Sequence, residues 1–233
     1  TVFDAIRDLP DHEMYPELLS SDSVRLAPSM RKRMTEVASP YARLLTGVDE
    51  DITDFSWPRE WEPTLLTSSA RTVHTSTSRG RFRATEPGQV EPVSRFLRLD
   101  PEGLCNTLRA GTGAERGAHT SPRPIHPAFP RVLSVREAAR LHSFPDWFRL
   151  HATKWHGFRQ IGNAVPPLLA RALGKAFVEA LGVTPVRPRQ VQPLGSEDWL
   201  HVTMTSAAPL ARADAGEVRG RSRNRDLARA SGQ

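Results

Sequence analysis

The sequence is poor in cysteine and has no apolar run long enough to cross a membrane. Cys105 is the only cysteine among 233 residues, so an intramolecular disulfide is excluded and a reducing cytoplasm is the expected location. No basic and then apolar signal segment follows Thr1, and the missing initiator methionine favours a fragment of a longer protein. The histidines lack metal-ligand spacing, which argues against zinc. We therefore expect a soluble protein without a membrane partner or a bound metal.

Acidic residues are scarce in the middle of the chain. Residues 67–160 carry 15 Arg and Lys against 7 Asp and Glu, whereas residues 1–66 carry 7 against 13. The formal net charge is +6, with arginine far more frequent than lysine. A concentrated arginine excess favours a polyanion partner such as nucleic acid, because each phosphate contact releases counterions. Compositional bias alone is the alternative explanation.

Arginine and phenylalanine alternate irregularly within residues 67–100. Arginines with small hydroxyl residues are typical of phosphate contacts, and aromatic faces can stack on bases. Solvated irregular segments share this composition, so that alternative stays open. Short strands are expected near Arg81–Ala84 and Val93–Leu99. The interleaved residues are Arg71, Arg79, Arg81, Phe82, Arg83, Arg95, Phe96 and Arg98.

Apolar periodicity and capping residues predict several helices. One face of Val2–Leu9 is apolar, and Ser29–Leu45 has a helical pattern that Pro40 interrupts. The sequence SVRE at Ser134–Glu137 is a capping box, in which serine and glutamate each bond the backbone of the other. Apolar residues at steps of three and four from Val165 predict a last helix, with Gly182 ending it in a left-handed turn.

The stretch Gln160–Arg171, with Gly162 and Asn163 before two prolines, is the most informative part of the sequence. A helix start there would offer free N–H groups to a carboxylate or phosphate. A packed helix behind a glycine turn is the plainer alternative. Cys105 has no base beside it in sequence and is expected to be a packing residue.

Two of these segments resemble motifs of the bacterial DNA (cytosine-5)-methyltransferases. Arg131–Phe148 is similar to the ninth conserved motif of that family and Gly157–Leu173 to the tenth, in the family's order. The pair Thr107-Leu108 resembles a Thr-Leu pair of the target recognition region. TVFDAIRDLP at the start resembles the segment that follows the eighth motif. The chain therefore resembles the C-terminal part of such an enzyme.

The N-terminal catalytic motifs of the family have no counterpart in this sequence. The FxGxG cofactor loop, the Pro-Cys-Gln nucleophile, the Glu-Asn-Val segment and the Gln-x-Arg-x-Arg motif are absent, and Ser78–Arg83 is only a superficial echo of the last. Cys105 lies in the recognition region and cannot inherit the role of the nucleophile. The chain alone is expected to be inactive, with no catalytic residue of its own.

The resemblance implies roles for the residues that match. In the family a flipped cytosine receives a methyl group from S-adenosylmethionine at C5, and Asn163 matches the asparagine that helps to hold this cofactor. Ala164 replaces a frequent serine, so only its backbone would serve the cofactor. Arg136 and Glu137 would brace the recognition region. The expected contacts to double-stranded DNA are Arg79, Arg81, Arg83, Thr107, Leu108, Arg109 and the turn up to Gly113.

The expected fold is α+β, with short strands in an irregular recognition domain and then two helices. The last helix would pack on a Rossmann-like cofactor-binding domain outside this chain, in a restriction-modification methyltransferase. The expected divisions are residues 1–66, 67–130, 131–182 and a tail, 183–233, disordered from Arg212. The alternatives are a stand-alone DNA-binding module without catalysis and a degenerate remnant.

Overall fold

Helices make up most of the regular structure in the computed structural model, which describes residues 1–110, 123–202 and 206. The strands are only two residues long, so the expected α+β class is confirmed with very little sheet. The helices are α1 Val2–Ile6, α2 Pro28–Val37, α3 Pro40–Leu45, α4 Ser76–Ala84, α5 Val135–Leu141, α6 Lys154–Asn163 and α7 Pro167–Ala180. The strands are β1 Val24–Arg25, β2 Arg59–Glu60, β3 Leu65–Leu66 and β4 Gln192–Pro193.

Helix α5 lies at the centre of the largest core and packs against α1 and α6. The expected capping box is present: Ser134 Oγ accepts from the Glu137 N–H at 3.1 Å, and the Glu137 carboxylate accepts from the Ser134 N–H at 2.7 Å. Two orphan amides of the first turn are thus satisfied inside the protein. The core around α5 consists of Val2, Ala5, Ile6, Leu99, Leu108, Leu133, Val135, Ala138, Ala139, Phe144, Leu150, Phe158 and Ile161.

The strands hold the loops together locally. β1 pairs antiparallel with β3, placing Val24 opposite Leu66, and β2 pairs parallel with β4. Ile125 bridges both Arg98 and Val132, which ties the segment around Arg98 to the residues before α5.

One expected strand was wrong and the other is reduced to isolated bridges. Residues 81–84 belong to α4, whose first turn is capped by Thr75 Oγ1 accepting from the Ser78 N–H at 3.1 Å. Only Phe82 of this helix is buried, so the local alternation of arginine and phenylalanine imitated a strand. Within Val93–Leu99, the main chain forms bridges at Leu97 and Arg98 rather than a continuous strand.

The helix expected over Val2–Leu9 is present but ends earlier, at Ile6, whereas two other expected helix boundaries are confirmed. Pro40 separates α2 from α3, and Gly182 follows α7 with a φ of +64°. Helix α6 was not predicted, because Gly162 favoured a turn there.

The chain divides into two compact units, Thr1–Gly195 and Ser196–Gln233. The helices α1 to α7 lie in the first unit, and the described part of the second contains a 3-10 helix at Glu197–His201. The expected disordered tail from Arg212 and the end of the turn at Gly111–Gly113 lie outside the described residues. None of the described helices is long and apolar enough to span a membrane.

Three arginines in and around α5 are almost completely withdrawn from water. Arg131 and Arg136 are 1% exposed and Arg140 is fully buried. Arg131 forms two parallel hydrogen bonds to Glu137, at 3.0 and 2.8 Å, and its Nε donates to Asp11 at 3.0 Å. Burial alone would raise the pKa of Glu137, but the charge and hydrogen bonds of Arg131 hold that pKa well below its usual range.

The other two arginines bind different parts of the fold to α5. Arg140 donates to both oxygens of Asp8, each at 3.2 Å, and to Asp146 at 2.8 Å, which joins the end of α1 to the loop after α5. Arg136 donates to Thr67 Oγ1 at 2.6 Å and to the carbonyl of Phe148 at 2.9 Å. Each buried charge therefore has partners that offset its desolvation.

Removing the carboxylate of this network is expected to destabilise the protein severely. Glu137→Gln leaves the Arg131 guanidinium buried with a weaker partner, at a cost on the order of 3 kcal/mol in the free energy of unfolding. Urea denaturation followed by circular dichroism measures this change. Glu179→Gln is the matched control, because Glu179 forms only an exposed pair with Lys175 and its loss should cost less than about 0.5 kcal/mol. Equal losses in the two variants would contradict the account.

Two buried histidines should make folding sensitive to acid. Burial lowers the pKa of both His12 and His126 to about 4, against the partial opposition of Glu137. The unfolded value is about 6.5, so the unfolded chain binds more protons between these two pH values. The free energy of unfolding should therefore fall as the pH drops from about 6.5 to about 4, by up to roughly 3 kcal/mol for each histidine.

Urea denaturation at several pH values between 7.5 and 4 measures this slope. His126→Gln should flatten it, whereas His201→Gln, which changes an exposed histidine, should leave it as in the wild type. A wild-type stability that does not change over this range contradicts the prediction.

Candidate functional site

The end of α6 lies directly against the segment that contains Thr107 and Leu108. A Cβ atom at Gly162 would stand 2.3 Å from the amide nitrogen of Ala110 and 2.4 Å from the carbonyl carbon of Arg109. Such distances are far inside van der Waals contact, and the neighbours are main-chain atoms that cannot move aside cheaply. Gly162 is therefore required by the close approach of two backbones. The structure brings together two sequence segments that lie more than 50 residues apart.

The side chains of this segment alternate between the interior and the surface. Leu108 is 5% exposed and belongs to the core around α5, while Thr107 and Arg109 are exposed. Leu108 thus anchors the segment, and its two neighbours are free to contact a partner. The three residues expected to contact DNA here therefore divide into one packing residue and two surface residues.

The two residues expected at a cofactor differ in what they can still bind. Asn163 is exposed as the last residue of α6, and its side chain has no hydrogen bond to the described residues. The Ala164 N–H donates to the Ile161 carbonyl at 3.1 Å, and the Ala164 carbonyl lies 3.0 Å from His142 Nε2. The backbone of Ala164 is thus largely used by the protein, and Asn163 is the better candidate for a ligand.

The anion-binding site expected at the start of the last helix has few free N–H donors. Pro166 and Pro167 have no N–H group, and the Leu168 N–H donates to Ser143 Oγ at 3.1 Å. Ser143 is itself held in the left-handed region, with a φ of +62°, at the turn after α5. Together with His142, it fixes the connection between α6 and α7. Sequence analysis missed these two residues because nothing local marks them.

The three arginines of α4 have different surroundings. Arg79 forms two hydrogen bonds to Glu13, at 2.6 and 2.8 Å, so its charge is already neutralised. Arg81 lies 3.6 Å from the buried carboxylate of Glu91. Arg83 is exposed and has no carboxylate partner among the described residues. Of the three, Arg83 is therefore the one that a polyanion could engage without breaking an ion pair.

Cys105 is not poised for chemistry. It is half-buried against the core around α5, and burial raises the pKa of its thiol to about 11. A thiol with that pKa is protonated at neutral pH and is a poor nucleophile. The packing role expected from the sequence fits this environment. The described residues contain no group of three or more His, Cys, Asp or Glu side chains that could hold a metal.

Helix α7 leaves its apolar side uncovered. None of its residues is buried, and Phe177 is 69% exposed. The exposed apolar residues of α7 and its flanks are Val165, Leu169, Leu173, Phe177, Leu181 and Val183. A continuous exposed apolar face of this kind is typical of an interaction surface. Arg171 pairs with Asp51 and Thr53, which holds α7 to the loop before β2.

Comparisons with known proteins agree on one family. A family model described as C-5 cytosine-specific DNA methylase matches residues 5–179. The Type II methyltransferase M.XorII of Xanthomonas oryzae pv. oryzae is 53% identical over 223 residues, which cover 96% of this chain and 51% of that protein. The Type II methyltransferase M.AgeI of Thalassovita gelatinovora is 29% identical over 78% of this chain and 51% of its own length.

A solved structure similar to this chain also carries the description of a DNA methyltransferase. The crystal structure of a protein described as a DNA modification methyltransferase, encoded within an E. coli prophage, matches with a TM-score of 0.56 at 31% identity. The match covers 78% of this chain and 47% of that chain. This chain thus spans about half the length of the curated relatives it matches.

The close contact at Gly162 predicts opposite outcomes for two glycine substitutions in neighbouring helices. Gly162→Ala forces α6 away from Arg109 and Ala110 and should lower the free energy of unfolding by about 1–3 kcal/mol, as overpacking does. Gly174→Ala in α7 meets no atom within 4 Å and should raise it by about 0.5–1 kcal/mol through helix propensity. Urea denaturation of both variants measures the difference. Equal effects would contradict the contact.

Proposed function

Since this chain belongs to the C-5 cytosine-specific DNA methylase family, we propose that it supplies the target recognition and cofactor-closing part of a DNA (cytosine-5)-methyltransferase. The reaction transfers a methyl group to C5 of a cytosine that is flipped out of the duplex. An attacking thiolate is needed, and Cys105 is unsuited to that role because its pKa lies near 11. A separate catalytic half would therefore supply the nucleophile.

The contact between Gly162 and the backbone of Arg109 and Ala110 carries this proposal. It joins the segment expected to contact DNA, with Thr107 and Arg109 on the surface, to the helix that ends in Asn163. A DNA-contacting element is thereby seated directly on the element expected at the cofactor. This arrangement suits an enzyme that must align a flipped base with a methyl donor.

Asn163 is the residue of this chain that would contact S-adenosylmethionine, which supplies the methyl group. An unpaired, exposed amide at the end of a helix can both donate and accept hydrogen bonds, so the side chain fits a polar ligand. The hydrogen bonds of Ala164 to Ile161 and His142 would position Asn163 rather than bind the ligand themselves. The cofactor contact expected from the Ala164 backbone stays a prediction, because its carbonyl oxygen keeps a second lone pair.

The uncovered side of α7 supports a partner domain. Phe177 and Leu173 are more than half exposed, although they lie on one apolar helix face. The chain spans about half the length of these relatives, and a domain equivalent to their other half would be long enough to cover this face. We propose that α7 packs on that Rossmann-like half.

Reconstitution tests the proposed function. Mixing this chain with the N-terminal half of the relative from Xanthomonas oryzae should transfer labelled methyl groups from S-adenosylmethionine to duplex DNA, whereas each part alone should not. Asn163→Ala should raise the KM for S-adenosylmethionine about tenfold, the equivalent of about 1.4 kcal/mol. Glu36→Ala, on the exposed face of α2, is the control and should leave both kcat and KM unchanged.

Two outcomes would overturn the proposal. A mixture of two folded parts that transfers no methyl group would contradict a split or truncated enzyme. Salt-sensitive, sequence-selective duplex binding by this chain alone, unaffected by the catalytic half and the cofactor, would instead establish a stand-alone DNA-binding module, which the basic residues 67–160 favour.

A further inference from the structure

Three chain segments converge beside the start of α6, away from Gly162. The Lys154 ammonium donates to Thr72 Oγ1, so the first residue of α6 contacts the segment after β3. His74 Nε2 accepts from the Val132 N–H at 3.3 Å. The Leu133 N–H donates to the Pro124 carbonyl at 2.9 Å. Arg71, Arg123 and Lys154 are thereby carried by segments that lie side by side.

Positive charge is in excess at this convergence. Two arginines of the neighbourhood are neutralised, Arg79 by Glu13 and Arg131 by Asp11 and Glu137. Arg71, Arg123 and Lys154 have no carboxylate within 4.0 Å among the residues that the structure describes. All three are half-buried. The three cations thus lie on neighbouring segments, and none of them forms an ion pair with a described residue.

The donors at this place are incompletely satisfied. The Nε atom of Arg71 is buried and has no hydrogen-bond partner among the described residues. Burial first, and then the charge of Arg123, lowers the pKa of Lys154 to about 7, although Glu137 opposes the shift. Arg131 and Arg71 lower it further. A bound anion would stabilise the ammonium form of Lys154 and offset the excess positive charge around it.

The start of α6 adds to the same positive region. No side chain caps this end, and the first N–H to bond back along the helix is that of Gly157, to Thr153 at 2.9 Å. The preceding amides of the first turn are therefore left without acceptors in the helix. In α7, by contrast, prolines and Ser143 remove the equivalent donors.

We propose that Arg71, Arg123 and Lys154 form a phosphate-binding site that holds one phosphodiester group of the DNA backbone. This inference rests on the proposed function and adds to it a contact that carries no sequence information but fixes the register of the duplex against Thr107 and Arg109. Arginine forks match phosphate oxygens, and the ammonium adds a point charge. The ion-paired Arg79 is not part of this site.

Duplex affinity measured against salt concentration tests the site. Fluorescence anisotropy of a labelled target duplex would be recorded from about 50 to 200 mM salt, with this chain alone and with the catalytic half. Arg71→Gln and Lys154→Met should each make the slope of log affinity against log salt less steep by up to about 0.9, the value for complete loss of one phosphate contact. Each should also weaken binding several-fold. Arg33→Gln, an exposed arginine of α2, is the matched control and should leave the slope close to that of the wild type.

The outcomes separate this inference from the proposed function. If the wild type binds duplex DNA and both variants keep the slope of Arg33→Gln, the phosphate site is wrong while the proposed function stands. If the wild type binds no duplex, even with the catalytic half, both are overturned. Arg71→Gln keeps the main-chain hydrogen bond from the N–H of residue 71 to the Leu18 carbonyl. This variant should therefore fold even if Lys154→Met does not.

Inorganic phosphate provides a second readout on the same residues. Amide chemical shifts of residues 71–72 and 153–156 should respond to millimolar phosphate in the wild type and to a much smaller extent in Arg71→Gln. Duplex DNA should perturb the same amides. A response to inorganic phosphate without any response to the duplex would assign the site to a small free anion and overturn the DNA contact.

Discussion

The buried pairing of Arg131 with Glu137 and Asp11 is the interaction on which the rest of this fold depends. Glu137 at once caps α5 and neutralises Arg131, and Arg140 on the same helix binds Asp8 at the end of α1. Helix α5 is only seven residues long and could not be stable by itself. Its charged side chains fix the positions of α1, the Thr67 segment and the loop after α5, on which the candidate site is built.

The same arrangement explains why a basic sequence does not present all of its charge to a partner. Arg131, Arg136 and Arg140 are buried and bind groups inside the protein, and Arg79 is paired with Glu13. The number of arginines in the sequence therefore overstates how many positive charges a polyanion could contact. The cations without an internal ion pair differ in their exposure. Arg83 and Arg109 are exposed, whereas the cations near the start of α6 are half-buried.

The sequence predicted helix boundaries that depend on a few neighbouring residues. The capping box at Ser134, the break at Pro40 and the end at Gly182 act over a few residues, and the structure has all three. Features that depend on distant contacts were not predictable. Arg140 binds Asp8, which lies 132 positions away in the sequence. Gly162 favoured a turn in the sequence, but it lies within a helix, where the neighbouring backbone of residues 109–110 leaves no room for a side chain. The prediction of a strand at residues 81–84 was wrong for a related reason. An alternation of three residues is too short to distinguish a strand from a helix that buries a single residue, as α4 does.

The contact at Gly162 also bears on how specificity can change between relatives. It joins main chain to main chain, so it depends on the path of residues 109–110 and not on which side chains they carry. Recognition segments of different sequence can dock on the same helix provided that they follow this path. Under the proposed function, selection on the DNA target would exchange surface residues such as Thr107 and Arg109, while the docking of this segment on α6 would be inherited unchanged.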